Sequence, residues 1–258
     1  MNLLNPVNCL HAEKLSITIG GRELVRALDW QVRPGQFWCV LGRNGVGKTS
    51  LMQAVAGLLR PSAGRVLIDG VALTAIPAAA LARLRGLMPQ QHVDAFSMSV
   101  LETVLIGRTP YRIGRGWDTE ADIVAARAAL ASVDLASRAG SDVLQLSGGE
   151  RQRVALATLL VQAPAIMLLD EPTAHQDVAH QLAMLALVRE LSALHAVVMN
   201  CHDINLAARF ATHVLVLGAD RSWRGAVDEV LVPAVLEPAF GCTFRVLEGQ
   251  GMRNFIAG

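Results

Sequence analysis

The octet Gly42-Arg43-Asn44-Gly45-Val46-Gly47-Lys48-Thr49 constrains this chain more than any other stretch. It follows a continuous apolar run, Phe37-Trp38-Cys39-Val40-Leu41, and precedes Leu51, Met52, Val55, Leu58 and Leu59, which recur at helical spacing. A buried strand, a glycine-rich bend and a helix are therefore expected in succession. Such a bend turns successive backbone N–H groups and the positive end of the helix toward one point, where a phosphate group fits. Lys48 adds a point charge there and Thr49 a hydroxyl suited to Mg²⁺. Gly42, Asn44, Gly45, Gly47, Lys48, Thr49 and Ser50 are the expected nucleotide contacts.

The rest of the chain has to accommodate this unit. Its 258 residues are enough for one large α/β domain or two small ones. With 52% hydrophobic and 17% charged residues, a bilayer segment has to be considered. The densest apolar stretches, residues 165–169, 196–199 and 214–217, are far shorter than the roughly 18–20 residues of a spanning helix, and read as buried parallel strands. The first ten residues lack the pattern of a secretory signal, so a cytoplasmic location is expected. Cys9, Cys39, Cys201 and Cys242 are scattered without CxxC spacing and read as buried thiols. A formal net charge of +1 gives no electrostatic footprint for nucleic acid.

Along the chain, Leu15-Ser16-Ile17-Thr18-Ile19 alternates and ends at Gly20-Gly21, which predicts an antiparallel hairpin strand. Arg65-Val66-Leu67-Ile68 is a further strand, closed by the turn dipeptide Asp69-Gly70. From about residue 90 to 162 the pattern becomes helical, and Asp118 is the expected N-cap of a helix through Ile123, Val124 and Leu130. Beyond it, strands at 166–169, 197–199 and 214–217 alternate with a helix through Leu182, Leu185 and Val188, as parallel βαβ units do. The tail predicts a short helix at 235–240 and a last strand at 244–247.

Two further clusters carry chemistry. Ile166-Met167-Leu168-Leu169 runs into Asp170-Glu171, placing two carboxylates at the edge of a parallel sheet where ligands bind. Neighbouring strand residues face opposite sides, and Pro172 can redirect the second acid, so the two need not share a task. Asp170 is expected to hold Mg²⁺ through its water shell and Glu171 to deprotonate an attacking water. In Leu146-Ser147-Gly148-Gly149-Glu150, Ser147 and Glu150 satisfy a capping box for the following helix. The same serine and glycines leave bare amides at a positive helix end, a second phosphate-binding surface.

Together these three motifs resemble the ATP-binding cassette (ABC) ATPases across essentially the whole chain. The resemblance implies a P-loop NTPase (RecA-like) α/β core with an N-terminal antiparallel β subdomain, about residues 1–89 and 163–258, and an inserted helical subdomain, about 90–162. It identifies Ser147, Gly148, Gly149 and Glu150 with the family's signature motif and makes them ATP contacts. It reads Gln90 as the Q-loop glutamine, which senses the γ-phosphate and adds a Mg²⁺ contact. Residues 173–177 take the place of the D-loop, with Gln176 where the family usually has leucine, although Asp177 also reads as a helix cap. His202 looks like the switch histidine beside the γ-phosphate and the attacking water. Ile19 stands where most members stack an aromatic ring on adenine.

What the resemblance implies about partners follows from one set of motifs per chain. Two copies are expected head to tail, each completing the other's ATP site, on the cytoplasmic face of the inner membrane as a peripheral subunit. Two transmembrane permease subunits would be driven by closure, with a periplasmic or extracellular substrate-binding protein as an indirect partner and no nucleic acid. Residues 101–117 lie where permease helices dock in the family, although Arg108, Arg112 and Arg115 also read as a solvated loop. Gly107-Arg108-Thr109-Pro110 and residues 202–211 resemble the ATPases of importers for ferric siderophores, haem and cobalamin. The competing readings are the ATPase of another transporter class, a soluble ABC protein acting on ribosomes or DNA, and a small-molecule kinase. Tandem cassettes or a long coiled coil would mark the second and are not in this sequence, and the third leaves Ser147 to Glu150 and His202 unexplained.

Overall fold

A computed structural model describes residues 9–90, 96–112, 117–174, 176–249 and 252–258, so Arg115, His175 and residues 1–8 lie outside the described residues. The chain opens with strands β1 (Leu10–Ile19), β2 (Arg22–Val32) and β3 (Phe37–Leu41), then helix α1 (Lys48–Val55). Strands β4 (Ala63–Ile68) and β5 (Val71–Ala72), helix α2 (Ala78–Leu84) and strand β6 (Arg85–Met88) follow. A helical stretch comes next: α3 (Val100–Leu105), a 3₁₀ turn (Ile106–Tyr111), α4 (Glu120–Ser132) and α5 (Gly148–Gln162). Strands return with β7 (Ile166–Asp170), α6 (Val178–Leu191), β8 (Ala196–Asn200), α7 (Ile204–Phe210), β9 (His213–Leu217) and β10 (Ser222–Ala226). The tail holds α8 (Val227–Val230), α9 (Pro233–Phe240), β11 (Phe244–Gly249) and β12 (Met252–Ala257).

Two sheets organise these elements. One is antiparallel, in the order β2-β1-β4-β5; the other runs β10-β9-β3-β8-β7-β6 and is parallel except for β10. β3 lies inside the second sheet and is buried along its whole length, as the uninterrupted apolar run requires. Its alternation divides the interior in two. Phe37, Cys39 and Leu41 face a core shared with the helices of residues 100–162 and with α6 and α7. Trp38 and Val40 face the other core, built from β1, β2, β4 and the apolar face of α1, including Leu51, Met52 and Val55. The loop after β3 therefore leaves the sheet at the joint between two packed layers.

Several local expectations change. Asp118 does not cap α4: Thr119 does, in a capping box with Asp122, while Asp118 accepts from Arg112 at 2.6 Å. Both residues precede the helix, and Thr119 wins because its partner Asp122 stands three residues on, the spacing that closes the box. Arg108 is not a solvated loop residue. It pairs with Asp122 at 2.6 Å, donates to the Val161 carbonyl at 3.1 Å and lies 4.1 Å from the Tyr111 ring centre. The strand from Phe244 is not the last one. It pairs antiparallel with β12 in a separate hairpin, held to α7 by Asn205, which accepts from Phe255 N at 2.7 Å. Cys39 and Cys201 are buried, whereas Cys9 and Cys242 are half-buried.

Asp122 thus serves as cap partner and as ion-pair partner, and Thr119 and Arg108 together lower its carboxyl pKa to about 2. A carboxyl depressed in the folded state adds stability above its unfolded value of about 3.9, and that stability is lost as pH falls through the folded value. Asp122→Ala is expected to lower unfolding free energy in urea by about 1 kcal/mol at neutral pH. The difference from wild type should narrow as the pH is taken from about 5 toward 2.

Candidate nucleotide site

Four neighbouring strands, β3, β8, β7 and β6, bring their carboxyl ends to one edge of the parallel sheet. The residues just beyond those ends line a single cleft of about 430 Å³: Asn44, Gly45, Gly47, Lys48, Thr49 and Ser50 after β3, His202 after β8, Glu171 after β7, and Gln90 after β6. Leu24 of β2 closes one side. Two glycines of the loop are required by close approach as well as by backbone angle. A Cβ on Gly42 (φ 145°) would lie 2.6 Å from the Leu217 carbonyl oxygen, and one on Gly47 (φ 119°) 2.9 Å from Leu24 Cβ.

Helix α1 starts at Lys48 with no side-chain cap, so the N–H groups of its first turn open onto the cleft without the usual partner. Lys48 is buried, and its Nζ donates to the carbonyls of Gly42 at 2.9 Å and Arg43 at 3.3 Å. Burial pushes its pKa down, while the carboxylates of Glu171 and Asp170 push it back up. An uncapped helix end and a buried ammonium at one loop form a cradle for phosphate oxygens.

The two acids after β7 differ as their positions predict. Asp170 is buried at the strand end, where it accepts from Asn200 Nδ2 at 2.6 Å. Burial raises its pKa, and hydrogen bonds from Asn200 and Thr49 oppose the rise. Glu171 sits at φ 52°, a left-handed conformation rare for a side-chain-bearing residue, and this turns its carboxylate out of the strand into the cleft. One carboxylate oxygen accepts from Gln90 Nε2 at 2.6 Å, and the other meets His202 Nε2.

Mg²⁺ fits these donors. Thr49 and Gln90 line the cleft, the buried Asp170 carboxylate is hydrogen-bonded to Thr49, and all three offer hard oxygen groups.

The signature residues stand apart. Ser147, Gly148, Gly149 and Glu150 line a second cavity of about 400 Å³, with Arg153, Gln176, Asp177 and His180. Ser147 caps α5 and Glu150 closes the box, as the capping reading expects, and this leaves the amides of Gly148 and Gly149 outside the box. Asp177 caps α6, accepting from His180 N at 2.9 Å. Gln176, in the place of the usual leucine, donates to the Pro172 carbonyl at 3.2 Å. Ile19 lines neither cavity; it is 46% exposed at the end of β1.

Three residues of the site had no signal in the sequence. Asn200 ends β8 inside an apolar run and reads as part of a strand, yet it holds Asp170. Gln152, buried in α5, donates to the Glu171 carbonyl at 3.2 Å. Leu24 reads as an ordinary strand residue.

Comparison with known proteins agrees with this geometry. Residues 25–174 match the model of a family described as ABC transporter. The chain is 44% identical over 241 residues to the hemin import ATP-binding protein HmuV of Pseudomonas entomophila, covering 90% of this chain and 92% of that one. It is 39% identical over 235 residues to the cobalamin import ATP-binding protein BtuD of Halobacterium salinarum, covering 90% of this chain and 58% of the relative. In fold it is similar, with a TM-score of 0.84 and 25% identity, to a structure described as an inward-facing metal-chelate type ABC transporter, over 96% of this chain and 97% of the other. A family model matches more than half of the chain and relatives align along nine-tenths of it: the chain belongs to the ABC transporter family and is one of its ATP-hydrolysing subunits.

Proposed function

We propose that this chain powers the import of a metal chelate, haem first, by hydrolysing ATP at sites that two copies complete for each other. The observation that carries the substrate class is the 44% identity to a hemin import ATP-binding protein along nine-tenths of the chain. The cobalamin relative supports a corrinoid as second choice. Among the described residues no helix is long and apolar enough to cross a membrane. Two permease subunits would carry the chelate through it. The chain would sit against them on the cytoplasmic side, and a substrate-binding protein would deliver the chelate from the far side. The domain division proposed is a nucleotide-binding core, about residues 1–89 and 163–258, and a helical part, about 90–162.

Phosphoryl transfer to water depends on positioning and on neutralising charge spread over the phosphate oxygens. The loop amides and Lys48 hold the β- and γ-phosphates, with phosphate oxygens replacing the Gly42 and Arg43 carbonyls as partners of Nζ. Thr49, Gln90 and Asp170, the last through water, would hold Mg²⁺, which neutralises charge on the same oxygens. Glu171, oriented between Gln90 and His202, takes a proton from the attacking water as its oxygen bonds to the γ-phosphorus and the bond to the ADP oxygen breaks. His202 positions that water and the γ-phosphate. Ser147, Gly148, Gly149 and Glu150 of the second copy close over the phosphates.

Three outcomes are expected. Glu171→Gln should keep ATP binding and lose turnover by about 10²- to 10⁴-fold, accumulating as an ATP-bound dimer in light scattering; undiminished hydrolysis would remove Glu171 as the base. Ile19→Tyr should tighten ATP binding in fluorescence titration by about fivefold or more, since a ring on a base is worth about 1 to 3 kcal/mol; unchanged affinity would mean that Ile19 is not over adenine. In the complex with its permeases in vesicles, loaded binding protein carrying haem should raise ATPase activity above the level given by unloaded protein. Stimulation by cobalamin and not by haem would reverse the order of substrates.

A further inference from the structure

Beside the signature glycines, the second cavity holds a residue that none of the motifs accounts for. His180 stands in the first turn of α6, and Asp177 binds it twice: one carboxylate oxygen accepts the His180 amide at 2.9 Å, and the other meets ring Nδ1 at 2.8 Å. The double contact fixes the ring and leaves Nε2 with no hydrogen-bond partner among the described residues, on a side chain 41% exposed and lining the cavity. The groups beside it are of both signs: the helix-end amides of Gly148 and Gly149 and the guanidinium of Arg153, against the carboxylates of Glu150 and Asp177 and the buried, unpartnered Oε1 of Gln176. Gly148 and Gly149 are the first two residues of α5, where no intrahelical acceptor exists. Arg153 lines the same wall, and its Nε is buried without a hydrogen bond. The two acids that face His180 are already engaged, Glu150 by Ser147 and by Arg138 at 3.2 Å, and Asp177 by His180 itself. With both acids engaged, the helix-end amides, Arg153 and His180 Nε2 are the groups left to face an anion that enters the cavity.

We propose that His180 completes the composite ATP site: when two copies close, its Nε2 takes up a proton and donates a hydrogen bond to the terminal phosphate held on the other copy's Lys48 loop. The inference rests on the proposed sharing of sites between copies. With Nδ1 on a carboxylate and Nε2 on a phosphate oxygen, the ring becomes an imidazolium bridging two anions, a charge-assisted arrangement. Closure therefore binds one proton per site at this residue and tightens as the pH falls.

The test uses the full chain in the Glu171→Gln background, reading the ATP concentration that gives half-maximal dimer by light scattering. Added to that background are Ser147→Arg, His180→Phe, which keeps ring bulk without a donor, and His180→Gln, which keeps a donor that does not titrate. ATP binding to the monomer should be unchanged in all three. Ser147→Arg should abolish pairing, His180→Phe should raise the ATP requirement about tenfold, and His180→Gln should stay within about twofold of the parent. From about pH 8 to about pH 6 the parent should gain more than His180→Gln. Pairing by His180→Phe equal to the parent, with Ser147→Arg blocked, would overturn the role of His180 and leave the shared site standing. Normal pairing by Ser147→Arg would overturn the shared site itself. Should His180→Phe prove unstable, equal pH responses of the parent and His180→Gln overturn the proposal.

Discussion

A buried ammonium held by two carbonyls at the bend between β3 and α1 is the constraint on which the rest of the structure depends. Removing a cation from water is expensive unless partners replace the lost solvation. Gly42 and Arg43 supply two, and the carboxylates of Asp170 and Glu171 favour the charged form. That arrangement dictates the surroundings. The loop can double back over Nζ only with glycine at 42, where the Leu217 carbonyl leaves no room for a Cβ. The acids must arrive from the adjoining strands, which requires β8 and β7 to lie parallel beside β3 and end at the same edge.

The second acid shows how such a site stores conformational energy. A strand would send Asp170 and Glu171 to opposite faces. The left-handed backbone at Glu171 cancels that alternation, at a cost of order 1–3 kcal/mol that the surroundings must offset. Gln90 and His202 grip the carboxylate, and Gln152 holds the carbonyl of the same residue. The strain is met by groups from β6, β8 and α5, so the geometry at Glu171 registers the relative positions of three elements.

Much of this was legible in the sequence because it depends on local patterns. The loop at 42–49 announces itself through glycine spacing, and the buried strands through apolar runs of the right length. What was hidden depends on tertiary contact. Gln152 lies in a helix pattern and Asn200 ends a strand pattern, and neither differs in sequence from a residue without a task. The cap of α4 was misplaced by one residue because Asp118 and Thr119 are both good caps, and only the reach of Asp122 decides between them. The strand β11 was expected, but its partner β12 escaped because a two-stranded unit packed on α7 has weak periodicity of its own. Ile19 is different again: the sequence places it by analogy, and its exposed side chain does not line the cleft.

The two cavities share no lining residue, yet one helix serves both. α5 is 15 residues long, about 22 Å at 1.5 Å per residue. Its first turn forms the signature surface, Gln152 one turn later holds the Glu171 carbonyl, and its last turn accepts from Arg108 at the Val161 carbonyl. Gln162 at its end donates to the carbonyls of Ala82 at 2.6 Å and Arg85 at 3.1 Å, beside β6 and therefore near the strand that carries Gln90. A helix does not compress, so one rigid element and four hydrogen bonds tie the surface at Ser147 to the Glu171 backbone, to the Arg108 turn and to the chain that leads from α2 into β6.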